Sequence, residues 1–126
     1  MNVVAEKSST GLDANLAAAL AYIPIVGIVF LVIEKGSRFV KFHSVQSLVF
    51  CAALIVAYIA LTIFSFIAAV VPVIGWIVSI VLFLCSMLLW LGSLVVWIVL
   101  VIKAFQGEWF KLPMVGDIAE RQSATL

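Results

Sequence analysis

The sequence predicts an all-α integral membrane protein, with three transmembrane helices in a compact bundle and a short interfacial C-terminal segment. Three observations predict it. The 126 residues are 67% hydrophobic and only 10% charged, whereas about a quarter of a soluble domain is charged. Lys and Arg are absent from residues 12–33 and 44–102, the segregation that hydrocarbon imposes on ions. All 3 prolines sit in one recurring phrase: Pro24-Ile25-Val26-Gly27, Pro72-Val73-Ile74-Gly75 and Pro113-Met114-Val115-Gly116.

The elements follow in order along one membrane domain. Residues 1–13 are polar, with no basic run feeding a short apolar core, so a cleaved signal peptide is not expected. Residues 14–33 fit one crossing of a hydrocarbon layer that takes about 20 helical residues. A basic loop, 34–43, carries Lys35, Arg38 and Lys41. The second span, 44–70, is longer than one crossing needs and has to tilt or project. An outer turn at 71–75 leads to a third span, 76–105, which holds no polar turn that could divide it in lipid. The tail, 106–126, reads as an interfacial segment turning into a short helix near Asp117. With three crossings, all basic residues but Lys7 share one face, so the positive-inside rule predicts an outer N-terminus and a cytoplasmic C-terminus in the cell membrane.

Proline ends or weakens a helix, and the residue before it is pushed to extended backbone. The second and third copies of the phrase therefore read as turns. The first, with Pro24 and Gly27, falls in the middle of the first span, where a break exposes a carbonyl that needs a partner. It is either a packing kink or a functional break.

On the third span Trp76, Ser79, Phe83, Ser86, Trp90, Ser93 and Trp97 recur at alternating three and four. Such a series follows one stripe of a supercoiled helix, so it predicts a knob-and-hole seam facing protein. Ser44, Ser47, Cys51, Leu54, Tyr58, Leu61 and Ser65 form a matching stripe on the second span. The serines either line a polar path or bond to their own helix carbonyls. The absence of deep ionisable residues argues against a proton-coupled pump.

Function classes narrow further. A net charge of +1 without a basic patch excludes nucleic acid as a partner. Cys51 and Cys85 lie in apolar runs and read as small buried hydrophobes, with no metal role. No nucleophile–base pair, metal motif or phosphate loop is present, so neither catalysis nor a cofactor is expected.

Several motifs carry a resemblance between residues 10 and 120: Gly11-Leu12-Asp13, Glu34-Lys35, Arg38-Phe39, Phe42-His43, Gln46-Ser47, Gly107, Leu112-Pro113 and Gly116 through Glu120. The chain resembles small bacterial and archaeal membrane proteins catalogued as a domain of unknown function. These are grouped with the twenty-kilodalton component of the translocon at the inner chloroplast envelope. The resemblance implies a helical membrane domain and a part in moving or inserting proteins.

The candidate interaction rim is Lys35, Arg38, Lys41, Phe42, His43 and Gln46. His43 and Gln46, three apart, can address one neighbour, either a partner or the chain's own C-terminal segment. The basic residues also suit anionic lipid. Two functions stay open: a non-catalytic scaffold that binds membrane lipids and other membrane proteins or itself, engaged in translocation or insertion, and a homo-oligomeric channel or transporter for a small solute or ion.

Overall fold

The computed structural model describes residues 7–125; Glu6 and the rest of the first six residues, and Leu126, lie outside them. The described chain is helical: α1 (Ala14–Leu20), α2 (Pro24–Ile33), α3 (Arg38–Ala69), α4 (Ile74–Phe105) and α5 (Val115–Thr125). It divides into two compact units. One holds the chain up to Cys51 together with everything from Trp97 onward, and the other is Ala52–Val96.

Two helices, α3 and α4, are long and apolar enough to cross a membrane. The third expected span is corrected. Residues 14–33 form two short helices, and α2, the longer, has 10 residues, about 15 Å at 1.5 Å per residue and half of a ~30 Å hydrocarbon layer. The ends of this stretch also meet: the Ser9 amide donates to Glu34 Oε2 at 2.9 Å and the Lys35 amide to Ser9 Oγ at 2.8 Å. A single crossing would hold them on opposite faces. The segment is instead a helical hairpin, and apolar length alone could not tell the two apart.

The helix expected to begin at residue 44 begins at Arg38. Ser37 caps it, its hydroxyl accepting the Val40 amide at 3.2 Å, the bond that an N-cap serine makes to the third helical residue. Arg38, Lys41, Phe42 and His43 therefore ride on the first two turns of α3 instead of in a loop.

The proline phrase starts helices. Pro24 opens α2 behind an extended Ile23, as pre-proline backbone requires. The phrases at Pro72 and Pro113 share one geometry. Val73 and Met114 take positive φ of 62° and 64°, and the next amides, Ile74 and Val115, each donate to the proline carbonyl at 2.7 Å. This tight γ-turn is strained for a side-chain-bearing residue. In all three copies the glycine amide donates to the carbonyl before the proline: Gly27 to Ile23, Gly75 to Val71 and Gly116 to Leu112.

The glycines are needed because the chain doubles back on itself. A Cβ would stand 2.6 Å from the Ala21 carbonyl oxygen at Gly27, 2.1 Å from that of Ala68 at Gly75, and 2.3 Å from Lys111 Cβ at Gly116. Gly75→Ala is expected to lower unfolding stability in mild detergent by about 1–3 kcal/mol, the usual cost of overpacking. Gly92→Ala, whose Cβ would meet nothing within 4 Å, serves as the control and gains about 0.8 kcal/mol of helix propensity. Equal thermal unfolding of the two variants would remove close approach as the reason for the phrase.

In the unit Ala52–Val96, the half-buried positions on α3 include Leu54, Tyr58, Leu61 and Ser65, and on α4 Ser79, Leu82, Ser86, Leu89 and Ser93. The predicted α3 stripe thus coincides with the inner face. On α4 the serines lie inside, and Trp76, Phe83 and Trp90 are exposed, so these three rings of the expected seam do not pack within the chain. Small and aliphatic residues allow helices to approach, and the bulky rings lie on the exposed side. Cys85 is likewise exposed, not buried as expected, while Cys51 is half-buried.

Candidate functional site

The densest polar chemistry lies at the start of α3, in the unit that holds both chain ends. The α1–α2 break presents Tyr22 there, fully buried beside His43 and Gln46. Its backbone is satisfied locally, since the Tyr22 amide donates to the Ala19 carbonyl at 3.2 Å and the Ile23 amide to Leu20 at 3.0 Å. The carbonyl that the break exposes is taken by the indole Nε1–H of Trp97, at 2.7 Å. Trp97, expected as a seam residue, completes the break.

The opposite wall comes from the end of α4. Gly107, at φ 81°, donates to the Ala104 carbonyl at 3.0 Å, and Glu108 to that of Lys103 at 3.0 Å. This pair of bonds is the Schellman ending that a glycine in the left-handed region permits. It turns the chain so that Glu108, Phe110 and Leu112 present backbone groups to α3.

The hydrogen-bond roles can then be assigned one by one. His43 Nε2 lies 3.0 Å from the Glu108 carbonyl oxygen. A carbonyl only accepts, so Nε2 carries the proton and, in the neutral ring, Nδ1 accepts. The Tyr22 hydroxyl, 2.5 Å from Nδ1, donates. Gln46 Nε2 donates to the Tyr22 oxygen at 2.8 Å and to the Phe110 carbonyl at 2.9 Å, while Gln46 Oε1 accepts the Leu112 amide at 3.0 Å. Tyr22, His43 and Gln46 together use every polar atom they bring. A fully satisfied buried network fixes one arrangement and resists exchange with water.

Aromatic packing encloses it. Phe39, Phe42 and Tyr22 stand edge-on to the imidazole with ring centroids at 4.6, 4.9 and 5.4 Å. Trp109 packs on Phe39 and Phe42, and the Arg38 guanidinium lies over Trp109 at 5.9 Å, within cation–π range. Arg38 also donates to the Glu120 carbonyl at 3.3 Å, and Ala119 of α5 packs with Phe42 and Val45.

A second polar cluster holds the N-terminal segment. The Glu34 carboxylate, 2% exposed, accepts from the hydroxyls of Ser8 and Ser9 and from the amides of Ser9, Gly36 and Ser37. Burial alone would push its pKa up. The donors from Ser8, Ser37 and Ser9 outweigh burial and hold it at about 2.

Of the predicted rim, His43, Gln46 and Phe42 are buried, Lys41 is half-buried, and Lys35 and Arg38 are exposed. His43 and Gln46 do face one neighbour, and it is internal. Tyr22 and Ser9 were not among the expected site residues, and Glu34 stood out only within the Glu34-Lys35 motif. For Tyr22 the available signal was a phenol immediately before Ile23-Pro24 in an otherwise apolar run. The hydroxyls of Ser86 and Ser93 donate to the Leu82 and Trp90 carbonyls of their own helix.

Comparison with known proteins corrects the proposed kinship. A UPF0132 membrane protein of Archaeoglobus fulgidus is 41% identical over 111 residues, covering 86% of this chain and 93% of the relative. A UPF0132 membrane protein of Methanocaldococcus jannaschii is 44% identical over 119 residues, covering 93% of this chain and 94% of the relative. Another from the same organism is 33% identical over 123 residues, covering 96% and 78%. No solved structure matches the chain. None of these findings supports a relation to the chloroplast translocon component. The motifs that suggested it, Glu34, His43, Gln46 and Gly107 among them, are the parts that build the two buried networks described above. Residues 7–119 match the family model described as the magnetosome magnetite crystal formation protein family, MamF/MmsF, and the chain belongs to that family of membrane proteins.

Proposed function

We propose that the protein is a non-catalytic membrane scaffold, anchored by α3 and α4, whose rigid polar unit lies at the cytoplasmic face and contacts anionic lipid and membrane proteins, its own copies included. The supporting observation is that the side chains able to do chemistry, Tyr22, His43, Gln46 and Glu34, are buried and committed to internal hydrogen bonds. A site for turnover keeps such groups open to a substrate, whereas these hold backbone segments together.

The sidedness follows from charge. Every Lys and Arg belongs to the unit containing the chain ends, and none lies in Ala52–Val96. The positive-inside rule then favours the cytoplasm for that unit. The N-terminal segment, bonded to Glu34, belongs there as well, replacing the outward N-terminus expected from three spans. The family description names magnetite crystal formation. Among the described residues no group of three or more His, Cys, Asp or Glu could hold a metal ion, so the scaffold role is proposed without mineral chemistry. A conducting oligomer gains no support from Ser86 and Ser93, whose protons are engaged within α4.

Photocrosslinking in native membranes tests the proposal, with probes at Lys35 and Trp90, both exposed. Discrete protein adducts, with itself or another membrane protein, are expected from at least one position. Lipid adducts alone from both positions would reduce the chain to an anchor and overturn the scaffold role.

A further inference from the structure

The α1–α2 hairpin has three properties that together specify a partner. Its two ends lie on one side, joined through Ser9, Glu34 and Lys35. Its apex, Tyr22, reaches the level of Gln46, 8 residues beyond the start of α3 and so about 12 Å along that helix. Its outer face on α2 is Ile25, Ile28, Val29, Val32 and Ile33, all exposed, while Gly27 and Phe30 face inward.

Hydrocarbon tolerates a chain reversal only where the backbone is paired. The apex meets this condition, because the Tyr22 carbonyl is held by Trp97 and the Tyr22 and Ile23 amides close back onto α1. Charge is confined to the open end, where Lys35 and Arg38 are exposed at a height that suits lipid phosphates. A face of five aliphatic side chains, half a bilayer long and basic at one end only, matches the acyl chains of a single leaflet beneath anionic headgroups.

We propose that α1–α2 is a one-leaflet insertion whose partner is the acyl layer of the cytoplasmic leaflet, and that by adding area to that leaflet alone it curves the membrane and favours membrane already so curved. The proposal draws on the cytoplasmic placement above only for its side. Insertion into one leaflet does not require that the protein have protein partners, so the two stand or fall separately. Apolar helix faces seated in one leaflet bind in a curvature-sensitive way, and those that lie shallower, at the headgroup boundary, already do so.

The test uses the full chain with both native cysteines replaced by Ala, reconstituted in phosphatidylcholine–phosphatidylglycerol vesicles. A membrane-impermeant maleimide should modify Leu12→Cys and Lys35→Cys from the same side, and a spin label at Ile28→Cys should be relaxed by oxygen far more than by a water-soluble nickel chelate. Raising the protein-to-lipid ratio should reduce vesicle diameter on the order of twofold. Ile28→Glu with Val32→Glu should abolish that reduction, and Ile28→Leu with Val32→Leu should keep it. Modification of Leu12→Cys and Lys35→Cys from opposite sides, a water-exposed label at Ile28→Cys, or vesicle diameters that ignore the wild-type protein would each overturn the proposal.

Discussion

Gln46→Leu is expected to detach the segment after α4 from α3 and to lower folding stability by about 3 kcal/mol or more. The effect is large because Gln46 touches three other groups. Its loss leaves the Phe110 carbonyl, the Leu112 amide and one side of the Tyr22 oxygen without partners. Leucine nearly fills the volume, so the loss is of hydrogen bonds and not of packing. Tyr22→Phe is the comparison. It removes one donor from His43 and one acceptor from Gln46, with an expected cost of about 1–2 kcal/mol. Thermal unfolding in mild detergent gives the ranking, and limited proteolysis between residues 106 and 112 reports detachment directly. A Gln46→Leu protein as stable and protease-resistant as wild type would mean that the network fills space without holding the chain.

Glu34→Gln is expected to free the N-terminal segment at a cost of about 2–3 kcal/mol, as for hydrogen bonds to a charged acceptor. The amide NH₂ would point a donor at the other donors that now converge on the carboxylate. The pH dependence has a definite sign. The carboxyl sits at about 2 in the folded chain against an ordinary 4.5, so the unfolded chain takes up its proton first. The stabilisation is complete above pH 4.5, declines as pH falls from 4.5 toward 2, and is absent below that. Melting curves of wild type and Glu34→Gln should therefore converge over that window. Curves that stay parallel from neutral pH to 2 would show that ionisation of Glu34 contributes nothing.

Much of the architecture was legible because it rests on composition and local chemistry. Two long apolar helices, the turn at Pro72 and the short helix carrying Asp117 follow from hydropathy, proline and glycine. The α1–α2 hairpin was not legible, since its 20 residues have the length and apolarity of a span and hydropathy does not record whether a chain turns back. Its reversal depends on Trp97, 75 positions away from Tyr22. The side of α4 that packs within the chain was not legible for a different reason. A three–four repeat fits two adjacent registers equally well, and the half-buried side of α4 carries Leu82 and Leu89 where Phe83 and Trp90 were expected.

His43 and Gln46 stood out in the sequence as a pair three apart. The sequence could not say that the shared neighbour is the chain itself, because backbone carbonyls of Glu108 and Phe110 carry no signature in side-chain identity. Glu34 shows the same limit. Its hydroxyl donors come from Ser8 and Ser9, 26 and 25 positions earlier, and a lone Glu at the end of an apolar run looks like a boundary marker until those partners are in place.

The latch across Tyr22, His43 and Gln46 also imposes an order of events during synthesis. Chains are made from the N-terminus at about 5–20 residues per second, and the backbone groups that complete the network belong to Glu108, Phe110 and Leu112. The phenol, imidazole and amide are thus made, and delivered to the membrane, well before their partners exist. Until translation has passed residue 112 the nascent protein carries polar groups that only water, a lipid headgroup or a helper can satisfy. Quality control that senses unpaired polar groups in membranes would have that interval in which to act.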